Sequence, residues 1–330
     1  MSLYKVDITS KDTIDAIAGI LRPHIPQSLP VLGCLFSGDI EDSALTIWTT
    51  FSPITTTTDS LNHTLPPIYS VICHSSLNDH RFRFFCSAET IPTGDPKTED
   101  THVFRTIGCL LSDKEHGAPP EAWANGATPK PAGVIEFGYF PDRWITCLSS
   151  YITYDYPYLV FACPPRENPP RTPWNTSFDH EWEVSELDES DVNFVQERLV
   201  HFPRSRESVK ARIHYSVCIR RKDGDNRAPV AWSGILSDGS TGMLYVEPDM
   251  RRKGLGRMCN IALRRKMEEM FATEDLEEKS IYPRARWEYN AIHDDNEASV
   301  RLTKSLEGWE GIGRRHCIWI RNWTITQHVS

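Results

Sequence analysis

The 330-residue chain has no apolar run approaching the roughly eighteen consecutive residues that a membrane-spanning helix needs. No membrane span or membrane partner is therefore expected. Met1 to Lys11 mixes Lys5 with Asp7 and has neither an apolar core nor an Arg-rich amphipathic stretch, so it reads as neither a secretory nor a transit peptide, and the expected location is cytoplasmic. Basic excess is also missing. Thirty-six Lys and Arg stand against 45 Asp and Glu, a net charge of −9, which argues against a uniformly basic nucleic-acid surface and a nucleic-acid partner. None of the nine cysteines forms a C-x-x-C pair, and most sit among apolar neighbours. They read as buried reduced thiols rather than disulfides or zinc ligands, and no metal site is expected.

What the chain does have is ordinary globular material, 39% hydrophobic and 25% charged, enough to build a substantial core. Two Pro-rich breaks interrupt it, at Gly117 to Pro131 and at Pro164 to Pro173. Consecutive prolines do not fit inside helices or central strands. The second break falls near the middle, so residues 1–163 are expected to form an N-terminal domain, 164–177 a linker, and 178–330 a C-terminal domain. In the first, Ile14, Ile17, Ile20 and Leu21 recur at helical spacing, and strand-like runs follow at Val31–Phe36, Leu45–Phe51, Ile68–Cys73, Phe82–Cys86 and Tyr158–Cys163. Val103–Leu111 reads as a second helix, and Thr55–Thr58 and Thr90–Thr101 as polar loops. In the second, a helix over Asp188–Val200 precedes strands at Tyr215–Ile219, Val230–Leu236 and Gly242–Val246, with a turn at Ser237 to Ser240. A helix over Gly254–Phe271 carries Leu255, Cys259, Leu263 and Met267 at every fourth position. A strand within Ile281–Ile292, a helix over Asn296–Leu306 ending at Gly308, and a strand within Trp309–Ile320 complete an α/β pattern.

One segment carries chemistry. After the strand ending at Val246 and its stop at Pro248, Arg251, Arg252 and Lys253 run directly into Gly254-Leu255-Gly256-Arg257. The glycines allow a ligand to approach the backbone closely. The first N–H groups of the following helix have no partner within it and lie at the positive end of its dipole. Such an arrangement binds phosphate, and the four cations suit a diphosphate. A third glycine at dinucleotide-fold spacing and a Gly-Lys-Ser/Thr sequence are both absent.

This segment resembles motif A of the GNAT superfamily of N-acyltransferases, whose loop reads R/Q-x-x-G-x-G/A. Asn296 to Leu302, continuing to Leu306-Glu307-Gly308-Trp309, resembles motif B. Leu21 to Phe36 and Gly242 to Pro248 are similar to the glycine N-acyltransferase-like family. The resemblance implies a GNAT fold, a mixed and mostly antiparallel sheet flanked by helices, in two tandem halves of which only the second keeps the cradle. It further implies acetyl-CoA or another acyl-CoA as co-substrate and the amine of a small molecule or amino acid as acceptor. The acyl donor's arm would lie along the backbone of Tyr245 and Val246, with Arg251, Arg252, Lys253, Gly254, Leu255, Gly256 and Arg257 at the phosphates and Asn296 and Ser299 nearby.

Amide formation from a thioester requires the acceptor ammonium to lose a proton, the carbonyl oxygen to be stabilised, and the thiolate to leave. The glutamate that the family often carries before the cradle is missing. Asp238 stands near its place and reads as a solvated turn residue, and the tyrosine that often follows the motif B leucine is Thr303. Glu288 and His293, on the strand opposite the cradle strand, are the residue types able to take the proton. Three alternatives to a small-molecule acyltransferase stay open: a non-catalytic acyl-CoA-binding protein, a protein lysine or N-terminal acetyltransferase, and other thioester chemistry on the same fold.

Overall fold

The computed structural model describes residues 1–35, 45–52, 65–75, 81–112, 134–166, 174, 181–199, 205–222, 227–273 and 287–321. Among them the chain runs through β1 (Tyr4–Val6), α1 (Lys11–Leu21), α2 (Leu29–Leu35), β2 (Leu45–Thr49), β3 (Ser70–Ser75), β4 (Phe82–Cys86), α3 (Pro96–Ser112), β5 (Val134–Pro141), α4 (Ile145–Leu148) and β6 (Ile152–Cys163). It then repeats the order with β7 (Trp182–Ser185), α5 (Val192–Arg198), α6 (Arg206–Lys210), β8 (Ser216–Arg221), β9 (Ala231–Ile235), β10 (Thr241–Val246), α7 (Leu255–Thr273), β11 (Glu288–His293), α8 (Glu297–Ser305) and β12 (Glu310–Arg321). The result is the expected α/β fold of mixed, mostly antiparallel sheets flanked by helices.

The strands form an eight-stranded sheet, β1-β2-β3-β4-β5-β12-β6-β11, and a four-stranded sheet, β10-β9-β8-β7. Every ladder is antiparallel except β4 with β5, which pair at Phe82↔Phe137 and Arg83↔Gly138. The last strand of each repeat is built into the other repeat. β12 lies between β5 and β6, and β6 lies between β12 and β11. Backbone hydrogen bonds therefore cross from one repeat to the other over the full length of two long strands. The sequence breaks at Gly117–Pro131 and Pro164–Pro173 give no sign of this exchange, and residues 113–133 and 167–173 lie outside the described residues, as does Thr55–Thr58.

Helices cover both faces of each repeat's sheet. Ile17, Leu21 and Leu32 pack on Ile47, Val71 and Phe85, and Val103 and Ile107 pack with Phe84, Phe137 and Ile318 on the other side. In the second repeat the stripe Leu255, Cys259, Leu263 and Met267 is buried against Ile219, Ala231 and Ile235, as the fourfold spacing requires. Val192, Val195 and Val209 cover the opposite face with Trp232 and Met243. Each such core aliphatic truncated to Ala would cost about 2–5 kcal/mol. The nine thiols are free, and all but Cys109 and Cys147 are buried. No helix among the described residues is long and apolar enough to cross a membrane.

Several local expectations are corrected. Val31–Phe36 is not a strand, because Leu29–Leu35 forms a helix buried at every residue. A run that is apolar throughout has no period to distinguish helix from strand. The helix starts at Ser28, whose carbonyl accepts from Val31 and Leu32, and Pro30 sits in the first turn, where its missing N–H costs nothing. Thr90–Thr101 is a loop only to Asp95, because α3 begins at Pro96. The strand at Val134–Pro141 had no counterpart in the sequence reading, and Tyr158–Cys163 is the end of a strand twice that length, β6, which starts at Ile152.

Candidate functional site

The junction of β10 and α7 is built from backbone conformation. After β10, Pro248–Met250 makes one tight turn and Met250 N donates to Glu247 O at 2.9 Å. Arg252 (φ +64°) and Gly254 (φ +81°) then take left-handed conformations, and α7 starts at Leu255. The two glycines have different jobs. A Cβ at Gly254 would meet no atom within 4 Å, so glycine is required there by its φ and the space above the backbone is open. A Cβ at Gly256 would lie 3.3 Å from Leu302 Cδ2 and 3.6 Å from Val246 Cγ2, so that glycine brings α8 and β10 against α7 rather than facing a ligand. Leu255 is buried and anchors the helix, whereas Arg251, Arg252, Lys253 and Arg257 are exposed around its start. Met258 N closes the first turn on Gly254 O at 3.1 Å, and the N–H groups of Leu255, Gly256 and Arg257 precede it without intrahelical acceptors. Of the two carboxylates just before the loop, Glu247 is paired with Arg198 at 2.5 Å and Asp249 is exposed in the tight turn. Arg251 Nε donates to Val246 O at 3.2 Å and ties the loop to the strand.

β10 ends its sheet, with β9 on one side. β11, the end strand of the eight-stranded sheet, contacts β10 without pairing to it, so the two strands meet across a break between sheets. A register shift between Gly242 and Tyr245, with Met243 at φ +55°, bulges β10 at this break. Strand alternation turns the Val246 side chain toward α7 and the Tyr245 ring to the other face, where it stacks on Trp232 at 4.6 Å. An unpaired strand edge of this kind can take an extended, amide-bearing ligand as an added strand.

Alternation also separates the two residues read as proton acceptors. Glu288 faces α7, where Arg264 Nε lies 3.1 Å from its carboxylate, and Arg264 also bonds Glu268 (3.2 Å) and Cys163 Sγ (2.7 Å). Burial pushes the Glu288 carboxyl up to about 7, against the pull of Arg264. His293 is on the opposite face, stacked on the Tyr156 ring at 3.6 Å with Nδ1 against Asp295. The two do not share a site. Between them, Asn290 faces α8 and its Nδ2 donates to Thr303 Oγ1 at 3.3 Å. Asn296 caps α8 by accepting from Ser299 N at 3.1 Å, and Ser299 is half-buried beside it.

Asp238 overturns its expectation as a solvated residue. It is 2% exposed and accepts from Arg83 Nη2 (2.7 Å) and Nε (3.2 Å), across to the first repeat. Its backbone carbonyl accepts from Tyr289 Oη at 2.5 Å, and Tyr139 Oη lies 3.2 Å from Ser240 Oγ. Gly33 leaves room for this turn, because a Cβ there would sit 1.5 Å from the Asp238 carbonyl oxygen. Short-range reading finds a Ser-Asp-Gly-Ser turn. The buried arginine that holds it is 155 residues away, and no local pattern announces it.

Neither the family models nor the curated proteins compared with the chain gave a match. Solved structures did. A Drosophila protein determined by structural genomics is 14% identical, with 98% of each chain covered and a TM-score of 0.63. That likeness spans both repeats and speaks to the fold alone. A tandem GNAT protein from the clavulanic acid biosynthesis pathway (12% identical, 98% of this chain and 99% of that one, TM-score 0.46) and a GCN5-related N-acetyltransferase from Sphaerobacter thermophilus (12%, 97% and 95%, TM-score 0.46) also align, too distantly to argue from.

Proposed function

We propose that the second repeat binds an acyl-CoA at the β10–α7 junction and that the chain is a GNAT-type N-acyltransferase, passing an acetyl or larger acyl group to the amine of a small molecule or amino acid. One observation carries the reading: an open left-handed Gly254 and unpaired helix N–H groups are ringed by four exposed cations. These groups fit a diphosphate. The bulged edge of β10 beside β11 fits the extended arm that would follow it. In this reading residues 1–163 and 178–330 are two domains, and the first supplies Arg83 and Tyr139 to the wall behind the thioester end.

The reaction forms a C–N bond and breaks a C–S bond. The acceptor ammonium must first lose a proton. We assign that proton to Glu288, whose carboxyl is held near neutrality and so exchanges protons at working pH. Nine helical residues separate Arg264 from Leu255, which sets Glu288 about 13 Å along α7 from the phosphate end. Thr303, too weak an acid at neutral pH, leaves thiolate protonation to solvent. A second reading, acyl-CoA binding without turnover, draws support from the ion pairs that hold both Glu288 and Asp238.

The test is calorimetric titration with acetyl-, butyryl-, benzoyl- and palmitoyl-CoA, for the native chain and Gly254→Glu, followed by CoA-thiol release with a panel of amines. Saturable binding weakened at least about 100-fold by the substitution is expected, since a carboxylate would replace the open anion site. Binding with no thiol release under any amine would favour the second reading. No binding of any ester by the native chain would sink both.

A further inference from the structure

Two buried polar atoms flank the break between β10 and β11 without partners among the described residues. Asn290 is 7% exposed. Its Nδ2 is used on Thr303, and its Oδ1 accepts nothing. Thr241 is 9% exposed, and its Oγ1 is likewise unpartnered. Both lie on the face covered by α7 and α8. Thr241 is the register partner of Ile235, which packs in the α7 core, and Asn290 has the parity of Glu288, which meets Arg264 of α7. Asn290 is also connected to the cradle. Its partner Thr303 follows Leu302, whose side chain, like that of Val246, closes on Gly256. Thr241 stands at the other end of β10, about 16 Å from Val246 at strand rise. Tyr289, the neighbour of Asn290, reaches the carbonyl of Asp238, three residues before Thr241, so the two strand starts are held together.

Buried polar atoms are nearly always paired, and an amide oxygen can only accept while a hydroxyl can donate. We propose that this acceptor and this donor read the amide-bearing arm of the acyl donor, Asn290 Oδ1 taking an N–H of a secondary amide midway along it and Thr241 giving its O–H to a carbonyl oxygen near its thioester end. The assignment rests on the acyl-CoA reading above. It makes Asn290 a positioning residue that selects an arm with an amide at mid-length, independently of the phosphate cradle.

Two ligands separate the roles. Acetyl-CoA carries the arm, whereas adenosine 3′,5′-bisphosphate carries phosphates without it. Asn290→Leu is expected to weaken acetyl-CoA about tenfold or more and Thr241→Val about threefold or more, with the bisphosphate affinity of each unchanged. The unfolding midpoint of Thr241→Val should not fall, since that change removes an unpaired buried polar atom. Should Asn290→Leu fold poorly because Thr303 loses its donor, Asn290→Leu with Thr303→Val removes both partners of that bond and carries the same expectation. Equal losses for both ligands would assign these residues to the fold and overturn the inference. Unchanged acetyl-CoA binding in the variants would overturn it while leaving the acyl-CoA reading intact. A native chain that binds neither ligand would overturn both.

Discussion

The two repeats pass through the same ten elements, yet the loop between the fourth strand and the next helix is finished in opposite ways. In the second repeat Gly254, at φ +81°, opens α7 beneath exposed Arg251, Arg252, Lys253 and Arg257. In the first, Gly94 has the same φ of +81° and equally open space, but Asp95 follows it. The Asp95 carboxylate accepts from Lys97 N at 3.1 Å and Thr98 Oγ1 at 2.6 Å, and these bonds hold its carboxyl below the usual range. Glu99 then accepts from Thr93 N at 2.7 Å. The first repeat thus neutralises its own helix start with carboxylates. Repetition of the backbone is not enough to make an anion site, because the N–H groups must be left for a ligand and the surrounding charge must be positive.

The largest expected effect concerns how far the repeats are separate at all. Arg83→Ala leaves the 2%-exposed Asp238 carboxylate without its charge partner. Chemical denaturation should show a loss of about 3–5 kcal/mol. A loss below 1 kcal/mol would mean that the second repeat's turn does not depend on the first. Next, Gly254→Glu and Gly94→Glu impose the same left-handed strain, so both should cost similar stability, about 1–2 kcal/mol. Only the first should abolish acyl-CoA binding, and equal losses from both would erase the distinction drawn between the two loops.

Glu288→Gln probes the second repeat's own chemistry. The folded carboxyl keeps its proton up to about 7, above its ordinary 4.5. The stability this gives is complete below the lower value and lost as pH rises through the upper one. The native chain should therefore lose up to about 3 kcal/mol relative to Glu288→Gln between pH 4 and pH 8. If Glu288 is the base, kcat/KM should rise through about pH 7 in the native chain and stay low and flat in the variant. Parallel stability curves would contradict the buried protonated carboxyl. The smallest effect is Asp95→Ala, which should lower the first repeat's unfolding midpoint only slightly through the lost cap. It should not create acyl-CoA binding, since that loop has no cations.

Legibility followed range. The stripe Leu255, Cys259, Leu263 and Met267 needed only a 3.6-residue period, and α7 was found within two residues of its ends. The Asn296 cap and Gly308, at φ +80°, were local signals too. The α2 helix was misread because continuous burial erases periodicity. In β5, the alternation that identifies a half-exposed strand is blurred, since six of its eight residues are buried. Asn290 and Thr241 carried no signal, because a partnerless polar atom is visible only when its neighbours are known.

The sequence by itself determined α5, α7 and α8 of the second repeat (though not the short α6), the glycines with the cations on either side of them, and the absence of that charge in the first repeat's loop. These depend on residue type at short separation. Only the tertiary structure decided that β6 and β12 exchange places, that Gly256 serves packing while Gly254 serves openness, that Asp238 is buried on Arg83, and that Glu288 and His293 face opposite ways. Each of those depends on which distant surfaces meet, and burial assigns the energetic meaning of a residue only after they have met.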